Sequence, residues 1–273
     1  MIWNMKNGTV PVGNTEMAYV SFGHGRKNLI VLPGLSDGLS TVKGKAMLLA
    51  KPYRPYLEEY TVYMFSRKDD MPKGYTIRDM AADQAEALKT LGIRKTAVLG
   101  VSQGGMIAQY LAADYPELVE KLVLAVTAPC ANPTVRKVVR EWIGMAKRGE
   151  HKQLMADTAE KTYTDAYLRQ KQYFLPLLGM VKPKSYRRFL INAYAILHFN
   201  AADIIHNISC PTLIIGGACD KTVGTSATAI LSCLIPQSEL YVYRDYGHGV
   251  FDEAKDFYRR VLYFLESAPS PRM

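Results

Sequence analysis

The sequence predicts an α/β protein: a mostly parallel central sheet flanked by helices, with one helical segment inserted into it. Three observations carry that reading. Runs such as Leu29-Ile30-Val31-Leu32 and Leu122 to Val126 are short and continuously apolar, which marks strands buried on both faces. Stretches of helical spacing separate these runs. From about residue 130 to 205 the alternation stops, and the chain becomes rich in Lys, Arg and Tyr with helix-compatible spacing and no convincing strand.

The elements follow in order. Thr9-Val10-Pro11-Val12 and Glu16 to Val20 flank Gly13-Asn14, a turn pair suited to positive backbone dihedrals and so to a hairpin. Leu29 to Leu32 is the first buried strand, ending at Pro33-Gly34, and Thr61 to Phe65 is a less regular strand candidate. Thr76 stands three residues before Asp79 in a capping-box arrangement. Ile77, Met80, Ala81, Ala85, Leu88 and Leu91 then keep helical spacing until Gly92. Ala97-Val98-Leu99 is a strand running into Gly100, and Met106, Ile107, Tyr110 and Leu111 resume helical spacing until Pro116. Leu122 to Val126 and Thr212 to Ile215 are buried strands on either side of the inserted segment, and Leu240 to Tyr243 is the last. Val250, Ala254, Phe257, Val261 and Leu265 predict one closing amphipathic helix, with Asp252, Glu253 and Asp256 near its positive end. The organisation expected is a core of residues 1–129 and 206–273 and a helical cap of residues 130–205.

Composition narrows the function. With 48% hydrophobic and 22% charged residues over 273 positions, the chain is neither largely disordered nor collagen-like nor a coiled coil. No apolar run approaches the roughly 18 residues of a membrane-spanning helix, and Met1 to Gly13 lacks a secretory pattern, so a cytoplasmic location is expected. The four cysteines, Cys130, Cys210, Cys219 and Cys233, show no ligand spacing. They read as buried or free thiols, with Cys219 as a small apolar filler, and neither a metal nor a cofactor is implied.

The chain carries 34 Lys and Arg against 25 Asp and Glu. Between Thr134 and Leu190 the count is 13 against 5, so nearly all the excess lies in the cap. Arg136-Lys137, Lys147-Arg148 and Arg187-Arg188 read as solvated helix faces. Steering of anionic substrates, or peripheral contact with an anionic membrane surface, are the alternatives. No nucleic-acid module is present and no nucleic-acid partner is expected. Tyr163, Tyr167, Tyr173 and Tyr186 either line a pocket or pack the cap on the core.

The chemistry is concentrated at Gly100-Val101-Ser102-Gln103-Gly104, a G-x-S-x-G motif with a strand before it and a helix after it. Glycines at 100 and 104, and Gly105, leave room for so sharp a turn, which exposes the Ser102 hydroxyl beside a helix N-terminus. A serine needs a base. Of five histidines only His248, in Asp245-Tyr246-Gly247-His248-Gly249, follows the last strand; His24, His151, His198 and His206 read as structural or solvent-facing. Asp220, after Gly216-Gly217-Ala218-Cys219, follows the strand before it and is the candidate for orienting the histidine. Val126 to Cys130 offers no carboxylate, and Asp203 belongs to the segment returning from the cap.

These residues, with Leu32-Pro33-Gly34, Tyr75 to Asp83 and Cys210 to Ile215, resemble the α/β-hydrolase superfamily in its capped serine esterase and lipase-like group, over nearly the whole chain outside 130–205. The resemblance implies the α/β-hydrolase fold and a Ser102–His248–Asp220 catalytic triad. It also implies an oxyanion hole made by the backbone N–H groups of Leu35 and Gln103. The family commonly has His-Gly where this chain has Pro33-Gly34; the donor is a backbone amide and survives the change. Ser36 and Asp37 read either as pocket-facing or as loop surface. The expected activity is hydrolysis of a small-molecule carboxylic ester through an acyl-enzyme. Thioesters, lysophospholipids, monoacylglycerols, lactones and carbon–carbon bonds stay open with the same triad, as does a ligand-binding receptor that retains it.

Overall fold

Residues 3–172 and 180–268 are described by the computed structural model; Tyr173 and the last residues of the tail lie outside them. Strands Lys6–Val12 (β1), Thr15–Phe22 (β2), Lys27–Leu32 (β3), Tyr60–Lys68 (β4), Thr96–Val101 (β5), Val119–Ala125 (β6), Thr212–Gly217 (β7) and Ser238–Tyr243 (β8) form one sheet in the order β1-β2-β4-β3-β5-β6-β7-β8. β1 and β2 pair antiparallel, as do β2 and β4; from β4 across to β8 every pairing is parallel. The opening hairpin closes with Val12 opposite Thr15, and only Gly13 takes a positive φ, +57°. One left-handed residue at the first turn position is the type II′ pattern, so Asn14 need not leave the ordinary region.

The helices of the described residues are Ala46–Ala50 (α1), Ile77–Thr90 (α2), Gln103–Asp114 (α3), Pro133–Arg148 (α4), His151–Thr162 (α5), Asp165–Lys171 (α6), Arg187–Leu197 (α7), Ala227–Leu234 (α8), Val250–Glu253 (α9) and Phe257–Glu266 (α10). None is long and apolar enough to cross a membrane. Alternate residues of each central strand enter opposite cores, as the pleat dictates. Ile30, Leu32, Val98, Leu122, Leu124 and Ile214 pack with Met80 and Leu88 of α2 and Ile107 and Leu111 of α3. On the other face Leu29, Val31, Leu99, Val123, Leu213 and Ile215 pack with Tyr53, Tyr56 and α10, through Phe257 and Val261. Both faces are dry, which is why these strands read as unbroken apolar runs.

α2 starts at the capping box: the Asp79 N–H donates to the Thr76 hydroxyl at 3.1 Å, and the Thr76 N–H donates to the Asp79 carboxylate at 2.9 Å. Thr76→Ala is therefore expected to lower stability by about 1 kcal/mol, read as a fall of about 2 °C in Tm. An unchanged Tm would mean that solvent replaces the cap.

α4 to α7 lie between β6 and β7, and the chain leaves and re-enters the core at one point. The Ala131 N–H donates to the Phe199 carbonyl and the Ala201 N–H to the Pro129 carbonyl, each at 2.9 Å. The single closing helix expected from the sequence is instead two, α9 and α10. Ala254 turns to an extended conformation between them, while Asp252 and Glu253 on α9 accept bonds from Tyr163 and Thr164 of the insert. Helical spacing alone continues through this break, because the apolar residues on both sides face the same core. Cys219 also departs from expectation: its side chain is exposed rather than filling a gap.

Candidate active site

Parallel strands bring their carboxyl ends to one edge of the sheet, so residues far apart in sequence converge there. Ser102 follows β5, Gly34 and Leu35 follow β3, Asp220 follows β7 and His248 follows β8.

Ser102 has φ 54° and ψ −118°, outside the regions that L-residues favour. Such strain persists only when the surroundings over-determine it, and here they do. The Ser102 N–H donates to the Ala125 carbonyl at 2.9 Å, and the Ser102 carbonyl accepts from the Thr127 hydroxyl at 2.8 Å. The turn closes only because α3 presses on β3: a Cβ built on Gly104 would lie 1.8 Å from the Leu32 carbonyl oxygen. Gly104→Ala is thus expected to cost about 4 kcal/mol or more of folding stability, measured by denaturant unfolding. A loss under about 1 kcal/mol would show that α3 shifts without penalty.

The three predicted side chains meet. Ser102 Oγ lies 3.0 Å from His248 Nε2, and His248 Nδ1 lies 2.8 Å from Asp220 Oδ2. His248 and Asp220 are buried. An ionised carboxylate only accepts, so Nδ1 carries the proton and Nε2 is left to accept from the serine hydroxyl. The other Asp220 oxygen, Oδ1, accepts from the N–H groups of Thr222 and Val223 at 2.8 and 2.9 Å. Those two donors fix the carboxylate's orientation and were not evident in the sequence.

Gly34 runs against the nucleophile, since a Cβ there would come 3.4 Å from Ser102 Cβ. Among the described residues, neither the Leu35 nor the Gln103 N–H finds a hydrogen-bond acceptor. Both groups belong to turns that flank Ser102, the residues assigned to the oxyanion hole by resemblance.

Behind this turn lies a polar cluster that sequence reasoning missed. Arg67, at the end of β4, is buried and donates from one terminal nitrogen to the Pro33 carbonyl at 2.6 Å and to Gln103 Oε1 at 3.0 Å. Gln103 Nε2 donates to the Asn192 carbonyl on α7 at 3.0 Å. Asp37 is buried as well, rather than on the loop surface: its carboxylate accepts from the Arg67 N–H and from Arg188, each at 3.0 Å. Arg188 also donates to the Lys68 carbonyl at 2.7 Å. It is therefore a half-buried anchor between α7 and the core and not part of a solvated face, whereas Arg187 remains exposed. Periodicity could not reveal this, because a charged helix residue looks the same in sequence whether it meets water or a buried carboxylate.

The insert also touches the histidine loop. The Gly249 N–H donates to the Thr162 carbonyl at 2.7 Å, Tyr163 donates to Asp252 at 2.8 Å, and Tyr163 stacks on Tyr167 with centroids 4.8 Å apart. Burial pushes the Asp252 carboxyl up from its ordinary range despite the bond from Tyr163. His24, His198 and His206 are exposed, as is Asp203, but His151 is buried. A cavity of about 800 Å³ between the loop at Lys73 to Thr76 and helices α4 and α7 is lined by Tyr75, Tyr186, Leu190 and Tyr194. Ser102, Asp220 and His248 are not among its lining residues.

Comparison with known proteins agrees with this architecture. The sequence model described as "alpha/beta hydrolase fold" matches residues 63–255. The poly(3-hydroxyalkanoate) depolymerase of Ectopseudomonas oleovorans is 28% identical over 175 residues, which are 64% of this chain and 62% of that protein's length. Among solved structures, the alpha/beta hydrolase enzyme MGS-M2 from a Medee basin deep-sea metagenome library has a TM-score of 0.83 at 19% identity, covering 96% of this chain and 98% of the other. The enol-lactonase of Burkholderia xenovorans has a TM-score of 0.80 at 21% identity, covering 95% of this chain and all of the other. Likeness at these identities is likeness of fold.

Proposed function

Because the chain belongs to the alpha/beta hydrolase fold family, we propose that it is a serine hydrolase that cleaves a carboxylic ester through an acyl-enzyme intermediate. The observation that carries this reading is the unbroken hydrogen-bonded chain from Ser102 through His248 to Asp220. Ser102 Oγ attacks the acyl carbon as its proton passes to His248 Nε2. The carbonyl oxygen, now negative, is held by the N–H groups of Leu35 and Gln103, aided by the N-terminus of α3. Collapse of the tetrahedral adduct breaks the ester C–O bond, and the imidazolium gives its proton to the departing alcohol. Water then attacks the acyl-enzyme, losing a proton to His248, and the carboxylic acid leaves as the serine is reprotonated. Asp220 holds the imidazole in the working tautomer and stabilises its charged form. Residues 130–205 act as the cap over this edge of the sheet, with residues 1–129 and 206–273 as the core.

An ester substrate also accords with the relative named for depolymerising poly(3-hydroxyalkanoate), a polymer joined by carboxylic ester links. The test is hydrolysis of a p-nitrophenyl ester series from short to long acyl chain, with mass-spectrometric mapping of a fluorophosphonate adduct. Turnover with the label on Ser102 supports the reading, and the preferred chain length sizes the acyl site. Labelling elsewhere, or no turnover anywhere in the series, overturns it.

A further inference from the structure

We infer that Arg67 is a positioning residue that sets the separation of the two oxyanion donors, with the insert helix α7 as the far anchor of the same linkage. This rests on the serine-hydrolase reading, and it assigns a role to a residue that takes no part in the proton transfers. One guanidinium nitrogen grips both halves of the hole. Its bond to the Pro33 carbonyl holds the turn that presents the Leu35 N–H, two residues on. Its bond to Gln103 Oε1 holds the residue whose own N–H is the second donor. The Gln103 side chain is bound at its other end to the Asn192 carbonyl of α7. Rotation of either turn away from Ser102 would break one of these bonds.

Stability does not explain the arrangement. Arg67, Asp37 and Asn192 are almost wholly buried. Among the described residues, Arg67 Nε, Asp37 Oδ1 and Asn192 Oδ1 have no hydrogen-bond partner. Buried charges with unmet bonds stabilise a fold poorly, and well-packed apolar side chains often serve as well or better. Asp37 is the buried carboxylate shared by the guanidinium groups of Arg67 and Arg188, and Arg188 also meets the exposed Asp69 carboxylate at 3.9 Å. Desolvation lowers the Arg67 pKa to about 10 against the opposing pull of Asp37, so the group is cationic at neutral pH. The buried Arg67 guanidinium lies behind the turn on which negative charge develops, where a low-dielectric setting strengthens its effect.

The experiment compares wild type with Arg67→Lys, which keeps the charge but cannot reproduce the planar fork, and with Gln103→Leu, which removes the second anchor. The readouts are kcat and KM for p-nitrophenyl esters and Ki for phenylboronic acid, whose tetrahedral serine adduct puts an oxygen in the oxyanion position. Lys68→Met is the control, because it breaks a neighbouring, mostly buried pair with Asp83 that does not touch either turn. Expected is a fall in kcat of about 10- to 100-fold with KM within about twofold, and a boronate Ki raised in parallel. Lys68→Met should lower Tm while leaving kcat and Ki unchanged. The inference fails if Arg67→Lys lowers Tm but spares kcat and Ki, if KM alone rises, or if Lys68→Met lowers kcat as much. Should Arg67→Lys not fold, Gln103→Leu decides by the same outcomes. If wild type shows no Ser102-dependent turnover, both this inference and the serine-hydrolase reading fall; Ser102-dependent turnover that is insensitive to Arg67 removes this inference alone.

Discussion

Replacing Ser102 with alanine is expected to reduce ester turnover by about 10⁵- to 10⁶-fold, because the members of such a triad act as a unit and loss of the nucleophile removes the covalent route entirely. The fold should survive the change. Alanine keeps a Cβ at a position whose backbone is held by the Ala125 carbonyl and the Thr127 hydroxyl, and neither bond involves the Ser102 side chain. Thermal unfolding within a few degrees of wild type, together with background-level hydrolysis, is the expected pair of results. A variant that stays well folded and retains more than about 1% of wild-type kcat would remove Ser102 from the mechanism, since an oxyanion hole alone supports far less.

Asp220→Asn is expected to lower kcat by about 10⁴-fold with little change in KM. The reason lies in the two backbone donors that the carboxylate satisfies. The N–H groups of Thr222 and Val223 pin one oxygen, so an asparagine must turn its carbonyl toward them and its NH₂ toward His248. That NH₂ donates to Nδ1 and forces the imidazole proton onto Nε2, where it faces the serine hydroxyl and cannot take its proton. Size and packing barely change, so the loss is one of tautomer. Full steady-state kinetics across pH test this. A fall of less than tenfold at neutral pH would mean that the orientation of His248 does not depend on Asp220.

The site was readable from sequence to the extent that its residues sit at strand ends. Gly100, Gly104 and Gly105 around Ser102 announce a turn that no bulkier residue fits, and His248 and Asp220 each follow an identifiable apolar run. What the sequence did not disclose are contacts between elements. Arg67 is one more charged residue at the end of a mixed strand, and Arg188 looks like a solvated helix position. Their pairing with Asp37 depends on β4, the turn after β3 and α7 packing together. Likewise the break at Ala254 sits beside bonds that Asp252 and Glu253 make to the insert, which no periodicity along their own helix reflects.

The sequence by itself determined the α/β architecture, the sharp turn at Ser102 and the strand ends that carry Asp220 and His248, because hydrophobic period and glycine sterics are properties of neighbouring residues. Only the tertiary structure decided that Arg67 clasps Pro33 to Gln103, that Arg188 and Tyr163 tie the insert to the turns around the site, and that Asp37 is buried between two arginines. Electrostatic and hydrogen-bond partners are chosen by distance in space, and a buried charge is tolerated only where the fold brings it a counter-charge and donors or acceptors.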